Sequence, residues 1–548
     1  MRCKTRQTLA LILLGLAPQS ALAETFEVGP GKPYATIQDT LELLKPGDVV
    51  EVQGDATYPG DLWFVEEHSG TSDAPVTVRG IRVNGKRPII AGVGSEQWHD
   101  MIVLFQVSNF VFEGFEIVGD GDPAHTGLVH KGDNVTLRDL VVHGVGSHGL
   151  LGTDFDSGSL LLERSEFYDN GFELYDHQIY VATDETVYPG SVFRMQYCYV
   201  HDGAGGNNVK SRAERNEIYH NWIEGAVYHE LDLIGPDGQD EDLAREDSDV
   251  VGNVFIKHSE WRIARIGGDG TGNTKGRYRF VNNTMVLGEQ SDVAIGMQYT
   301  VESLELHNNV VVRLGASGGE LYNHYDAEGP EPLIFGSNNW LQEGLGAVPA
   351  TLTGTIVGTD PGFVDAAAWD FRPRDDSPLL EAGATDTVLD VAPFINPLAL
   401  PTHVPPSRAL GTEGPRPQDA TPDIGAYELG SGEEPGESTS DTGEAPTSGE
   451  APTSESGEAP TTDTGEAPTS GPGEEPTDTG AEPGPVTTDG GTDGTGGSAG
   501  SDGATAGGGE GNGGEGGCNC DVDRSPGQTT PGLLLLLGLG ALARRRRR

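Results

Sequence analysis

The sequence predicts an all-β fold: a solenoid of stacked β-coils, followed by a disordered stalk and a short C-terminal apolar segment. Three observations predict it. Short strands with alternating apolar residues recur at a nearly regular spacing. Asparagine returns at the same point of five consecutive repeats. Large apolar residues then almost vanish from about residue 430.

The recurring segments are FEGFEIVGD, LRDLVVHG, LERSEFYDNG, MQYCYVHDG, YHNWIEG, VGNVFIKH, VNNTMVLG, HNNVVVRL and SNNWLQEG. Their expected inward residues are Ile117, Val142, Phe167, Tyr199, Ile223, Phe255, Met285, Val311 and Leu341, spaced by 24 to 32 residues. Apolar residues at every second position suit a strand with one buried face and would scatter around a helix. A solenoid stacks each strand on the one a coil earlier, about 4.8 Å away. Asn221, Asn253, Asn283, Asn309 and Asn339 share one point of this repeat. Asparagine tolerates left-handed backbone, and its amide can bond the amide of the next coil, so the five are expected to form an internal ladder.

Taken in chain order, residues 1–23 read as a secretory signal. They run from the basic MRCKTRQ through the apolar TLALILLGLA to a small-residue site, with cleavage expected after Ala23. Residues 24–429 form the β domain. It opens with an amphipathic helix, Thr36 to Leu44, placed to cover the open edge of the first coil. Cys198 is the one thiol of this domain, so no internal disulfide is possible, and no partner motif marks it as a nucleophile. Residues 430–517 repeat GEAPTSGE-like units and dissolve into Gly, Asp and Ser. Such a segment cannot offset its chain entropy and is expected to be disordered and extended. Residues 518–548 begin at Cys518 and Cys520 and continue into an apolar run, Gly532 to Ala543, that is short for a membrane span. Five arginines close the chain.

The formal net charge of the 548 residues is −51. That balance argues against nucleic acid as a partner and gives anionic ligands no long-range attraction. An anionic ligand would need a local basic patch or a bound cation. No nucleotide loop, zinc spacing or serine triad is present.

Several segments resemble those of right-handed parallel β-helix proteins of the pectate-lyase superfamily. They are YATIQDTLELLKPGDVVEVQGDATYPG, APVTVRG, the coils, DPGFVDAAAWDFRPRDDSPLLEAGA and PDIGAYE. The likeness spans roughly residues 26 to 428 and implies the architecture, not the activity. The C-terminal order of Cys-bearing spacer, short apolar helix and basic cluster resembles the sorting tags of myxobacterial surface proteins. It implies processing near Cys518 or Cys520 by a cell-surface sorting machinery, and display on the outer cell surface. A plain tail anchor is the other reading. A monomer is expected.

The second strand of each coil carries the candidate site. In HQIYVA, NNVKSR, ELDLIG, RIARIG and DVAIGM the inward pairs are Ile179 and Val181, Val209 and Ser211, Leu231 and Leu233, and Ala264 and Ile266. The residues between them point outward: Tyr180, Lys210, Asp232, Arg265, then Ala294 or Gly296. Adjacent rungs place Lys210, Asp232 and Arg265 within roughly 5 to 10 Å of one another. His177, His229 and Glu230 stand at the strand starts beside this column, and Arg212 follows Lys210. The loop Gly235 to Asp249 would wall a groove, and its Asp237, Asp240 and Asp242 offer oxygen ligands for Ca²⁺.

The VKS segment with an outward side chain on the next coil resembles the alginate lyase and chondroitinase B family. The resemblance implies Lys210 as base, an Arg as acid, and calcium to neutralise the uronate; here the Arg, Arg265, comes one coil later than in that pattern. On this reading Tyr180, Asp232, His177, His229 and Arg212 contact an acidic polysaccharide. A free lysine has a pKa near 10.4. Arg265 would lower that of Lys210 and Asp232, which is nearer, would raise it. Lys210 therefore serves as a base where Asp232 is occupied by Ca²⁺ or by Arg265. Glycoside hydrolysis would need two carboxyls facing the bond, and Glu230 and Asp232 share one strand. Two other readings remain open: a non-catalytic glycan-binding or adhesin-type protein, and a plain ion-pair ladder on a solvated face.

Overall fold

A computed structural model describes residues 23–94, 100–236, 247–269, 274–327, 329–385 and 400–430. Asp237, Asp240, Asp242, the stalk after Gly430, the C-terminal tag and all of the signal segment but Ala23 lie outside the described residues.

Alternating short strands build three parallel sheets of 13, 12 and 10 strands, here sheets A, B and C. The chain visits them in turn. Val135–Arg138 lies in A, Val141–His143 in B and Leu150–Gly152 in C, and Leu160–Glu163 returns to A. Each strand pairs in parallel with its counterpart one coil away, as Leu137 does with Leu162, Val142 with Phe167 and Leu150 with Ile179. The fold is a parallel β-helix, whose crossovers are right-handed by strong preference. One apolar core runs through its interior, from Phe26 to Leu352.

The turn from A to B explains the recurring Asn-Asn pairs. Its first residue adopts positive φ, as at Asn282, Asn308 and Asn338 (φ 53°, 55° and 54°), where asparagine is tolerated better than most side chains. The second residue faces inward. There Asn221, Asn253, Asn283, Asn309 and Asn339 form the expected ladder, each Nδ2 donating to the next Oδ1 at 2.9–3.0 Å. Cys198 is the rung before it, and its N–H donates to Asn221 Oδ1. The thiol is fully buried, which pushes it up to about 12, as befits a packing residue.

Two details differ from expectation. The N-terminal helix is a short 3-10 turn, Gln38–Leu43, because Ile37 offers no side-chain cap and Leu44 is already extended. In the fourth repeat Val200, not Tyr199, faces inward: it pairs with Phe167 before it and Ile223 after it. Tyr199 joins Trp222, Val254, Val310 and Trp340 on the outer face of B. Phe363, Phe371, Ile424 and Tyr427 from the C-terminal segments pack there. With both faces buried, alternation ceases to distinguish in from out.

Those C-terminal segments run back along the coils. Asn282 Nδ2 donates to Asp423 O, and Gly425 N–H to Asn308 O. Further back, Arg408 pairs with Glu224 at 2.7 Å, and Thr402 N–H donates to His220 Nε2.

Candidate functional site

The strands of C set the site. Register pairs Tyr180 with Lys210, Lys210 with Asp232, Asp232 with Arg265 and Arg265 with Gly296. The predicted inward pairs all lie in the interior, and Ser211 bonds Asn216 there. The four predicted side chains therefore form one outward column. It is not a solvated face: Tyr180 and Asp232 are buried, while Lys210 and Arg265 are partly exposed.

Outward residues change character along C. On the earlier coils they are apolar: Leu104, Val129 and Leu151, with Tyr180 as the last member. Lys210 then places its Nζ 4.5 Å from the centre of the Tyr180 ring. Asp232 accepts two bonds from Arg265, from Nε at 2.6 Å and Nη2 at 2.7 Å, and a third from Asn207 Nδ2 at 3.0 Å. Burial opposes the charge on Asp232, but the Arg265 guanidinium outweighs it and holds the carboxyl below its usual range. Asp232 is thus occupied by Arg265, as the base reading of Lys210 requires.

The Lys210 side chain makes no hydrogen bond or ion pair among the described residues. Its pKa is lowered, first by burial and then by the neighbouring Arg212 charge, with Asp232 and Asp269 opposing. Arg212 is buried in the wall. Its Nε donates to Tyr180 Oη at 2.9 Å, Nη1 to Gly235 O at 2.7 Å and Nη2 to Asp269 at 2.5 Å. The structure thus corrects the expected glycan contact of Arg212: it braces Tyr180 and the base of the Gly235 loop.

His177 and His229 are corrected likewise. They are buried two residues before their strands, in a column with His148 and Asn207. His148 Nδ1 accepts from His177 N–H, His177 Nδ1 from Asn207 N–H, and Asn207 Oδ1 from His229 N–H. Burial pushes His148 and His229 down to about 3 and His177 well down, so all three are neutral. Glu230 also turns inward: fully buried, it binds Lys257 Nζ at 3.1 Å and Asn208 Nδ2 at 2.6 Å, which removes it as a second groove carboxyl.

Sequence reasoning missed the far wall. Tyr228 and Trp261 meet edge to face at 4.3 Å. Arg262 lies over the Tyr325 ring at 4.3 Å and donates from Nε to Asn323 Oδ1 at 3.2 Å. These residues mostly sit in turns before their strands, where period two gives no signal. Recurrence at a fixed offset, as in DHQIYV, YHELDL and EWRIARIG, was the available clue.

Most arginines of sheet A and of one cleft on B are matched. On the outer face of A, Arg79, Arg138, Arg194, Arg215, Arg277 and Arg279 each pair with a carboxylate. A cleft on B lined by Asp55, Arg82, Lys86, Arg87 and Glu116 has its cations taken by Asp55 and Asp139. Among the described residues no group of three His, Cys, Asp or Glu is able to hold a metal, and Asp232 and Asp269 already bind arginines. The described groove thus does not fit calcium.

No protein-family model and no curated protein matches the chain. Similar solved structures include the pectate lyase Pel9A, at 14% identity over 74% of this chain and 97% of that one, with a TM-score of 0.48. Others are XylC in complex with xylose (10%, 62% and 87%, 0.41) and an alginate lyase from Paenibacillus sp. str. FPU-7 (15%, 62% and 98%, 0.34).

Proposed function

We propose that the β domain is a polysaccharide lyase that cleaves an acidic, uronate-containing glycan by β-elimination, with Lys210 as base. One observation carries this reading. In a strongly acidic chain, a partly buried lysine lies in an outward column without a carboxylate partner among the described residues, and burial with the neighbouring Arg212 charge lowers its pKa. A structural ion-pair ladder has no use for such a group.

The chemistry follows from the arrangement. The uronate carboxylate must be neutralised before the carbon beside it yields a proton. Arg265 spends Nε and Nη2 on Asp232, but among the described residues Nη1 meets only Gln298 Oε1 at 3.4 Å, which leaves it for the carboxylate on this reading. In its neutral form Lys210 takes the proton. The released electron pair forms a carbon–carbon double bond as the adjacent glycosidic C–O bond breaks, and the resulting ammonium is the nearest acid for the leaving oxygen. Arg265 thus neutralises charge, in place of the acid role that the resemblance implied. Tyr228, Trp261 and Tyr325 offer aromatic faces and edges to the sugar rings.

The signal segment and C-terminal tag support export, sorting and display at the outer cell surface; a monomer belongs to the same proposal. Calcium held by Asp237, Asp240 and Asp242 belongs to the same proposal.

The test is a screen of uronate polymers, with calcium and with chelator, for unsaturated ends absorbing in the ultraviolet. Wild type is expected to produce them, and Lys210→Ala to lose about 10²–10⁴-fold in rate with its melting transition retained. Binding without such ends under either condition favours the adhesin-type reading.

A further inference from the structure

Arg262 is the second cation of this face without a carboxylate partner among the described residues. The way it is held is unusual. Gly296 follows Arg265 in the outward column. A Cβ built on Gly296 would stand 2.2 Å from Arg262 Cδ, 2.5 Å from Arg262 Nε and 3.2 Å from Tyr325 Cε1. The missing side chain is therefore the seat of another: Arg262 lies across the sheet at that rung. Tyr325 stacks on its guanidinium at 4.3 Å, and Asn323 accepts from its Nε at 3.2 Å. Two neutral partners and a glycine fix the guanidinium, while its two terminal nitrogens bond no carboxylate among the described residues. A guanidinium so fixed is a ready bidentate site for a planar oxyanion. Other arginines nearby are treated differently: Arg212 has Asp269, and Arg265 has Asp232.

We propose that Arg262, seated on Gly296, is a distal oxyanion subsite that binds a second acidic group of the same glycan. The inference rests on the proposed groove reading. From Lys210 to the Gly296 rung is three strand spacings, roughly 14 Å. That span takes an oligosaccharide, so the site would select long acidic chains over short ones. The shared chemistry is a carboxylate or a sulfate ester.

Calorimetric binding to the Lys210→Met variant tests the subsite apart from turnover. The probes are galacturonate dimers, galacturonate hexamers, and a sulfated, carboxylate-free hexasaccharide. Hexamer affinity is expected to fall about tenfold in Arg262→Gln, matching loss of a charge-assisted hydrogen bond, with dimer affinity unchanged. Gly296→Ala is expected to do the same while keeping the charge, because it unseats the arginine. Tighter wild-type-groove binding of the galacturonate hexamer assigns a carboxylate, and of the sulfated one a sulfate. Equal hexamer affinities with and without Arg262, or no hexamer binding, would overturn the subsite. Unsaturated ends formed by the parent chain at an Arg262-independent rate, with unchanged binding, would sink the subsite alone. Arg262-dependent binding without such ends would sink the lyase alone.

Discussion

The outer faces of sheets A and C both carry rows of charge, yet they balance differently. On A, arginine and carboxylate alternate, and one carboxylate often serves two cations, as Asp249 serves Arg215 and Arg279. On C, the column offers one carboxylate, Asp232, to two cations, and Arg265 takes both of its oxygens. Lys210 is left over. Matched charges describe a structural face, whereas an unmatched one held in a groove costs stability and is kept for another purpose.

The comparison can be broken by substitution. The largest effect is expected at Asp232→Ala. It leaves the Arg265 charge buried without a partner and should cost about 3–5 kcal/mol in urea titration. On A, Arg79→Ala removes an exposed pair and should cost under about 1 kcal/mol. Equal losses would erase the distinction drawn between the faces.

Lys210→Met should have the opposite sign. It removes a poorly solvated amine that has no ion-pair partner among the described residues, so the domain should gain about 0.5–2 kcal/mol. A loss of that size would mean that Lys210 holds the fold together, as the arginines of A do.

A pH-dependent effect is expected at the corner after the site strands. Glu185 and Glu214 there both accept from Gly190 N–H, at 3.4 and 2.8 Å. Burial, with Glu214 alongside, pushes Glu185 up from 4.5 to about 8. A carboxyl raised on folding keeps a proton that the unfolded chain has released. Stability should therefore decline as pH rises from about 4.5 to about 8, and Glu185→Gln should flatten that slope. Denaturation midpoints at both ends of the window check it.

Much of this was legible beforehand, for identifiable reasons. The outward column Tyr180, Lys210, Asp232 and Arg265 followed from strict alternation about Ile179, Val209, Leu231 and Ala264. The asparagine ladder followed from its spacing. Pairing was not legible: alternation places Asp232 between two cations without saying which one it binds. Arg262 was missed because it precedes its strand, and Tyr199 because both faces of its strand are apolar.

The returning C-terminal segments bear on mechanics. A simple solenoid holds only nearest neighbours together, so it can peel from either end one turn at a time. Here Asp423 and Gly425 are fastened to Asn282 and Asn308, and Arg408 to Glu224, so the segment that follows the coils is tethered to turns wound long before it. A pull on the C-terminal end is then met first by the middle of the spiral, and the final turns cannot unzip in sequence until that strap has torn away.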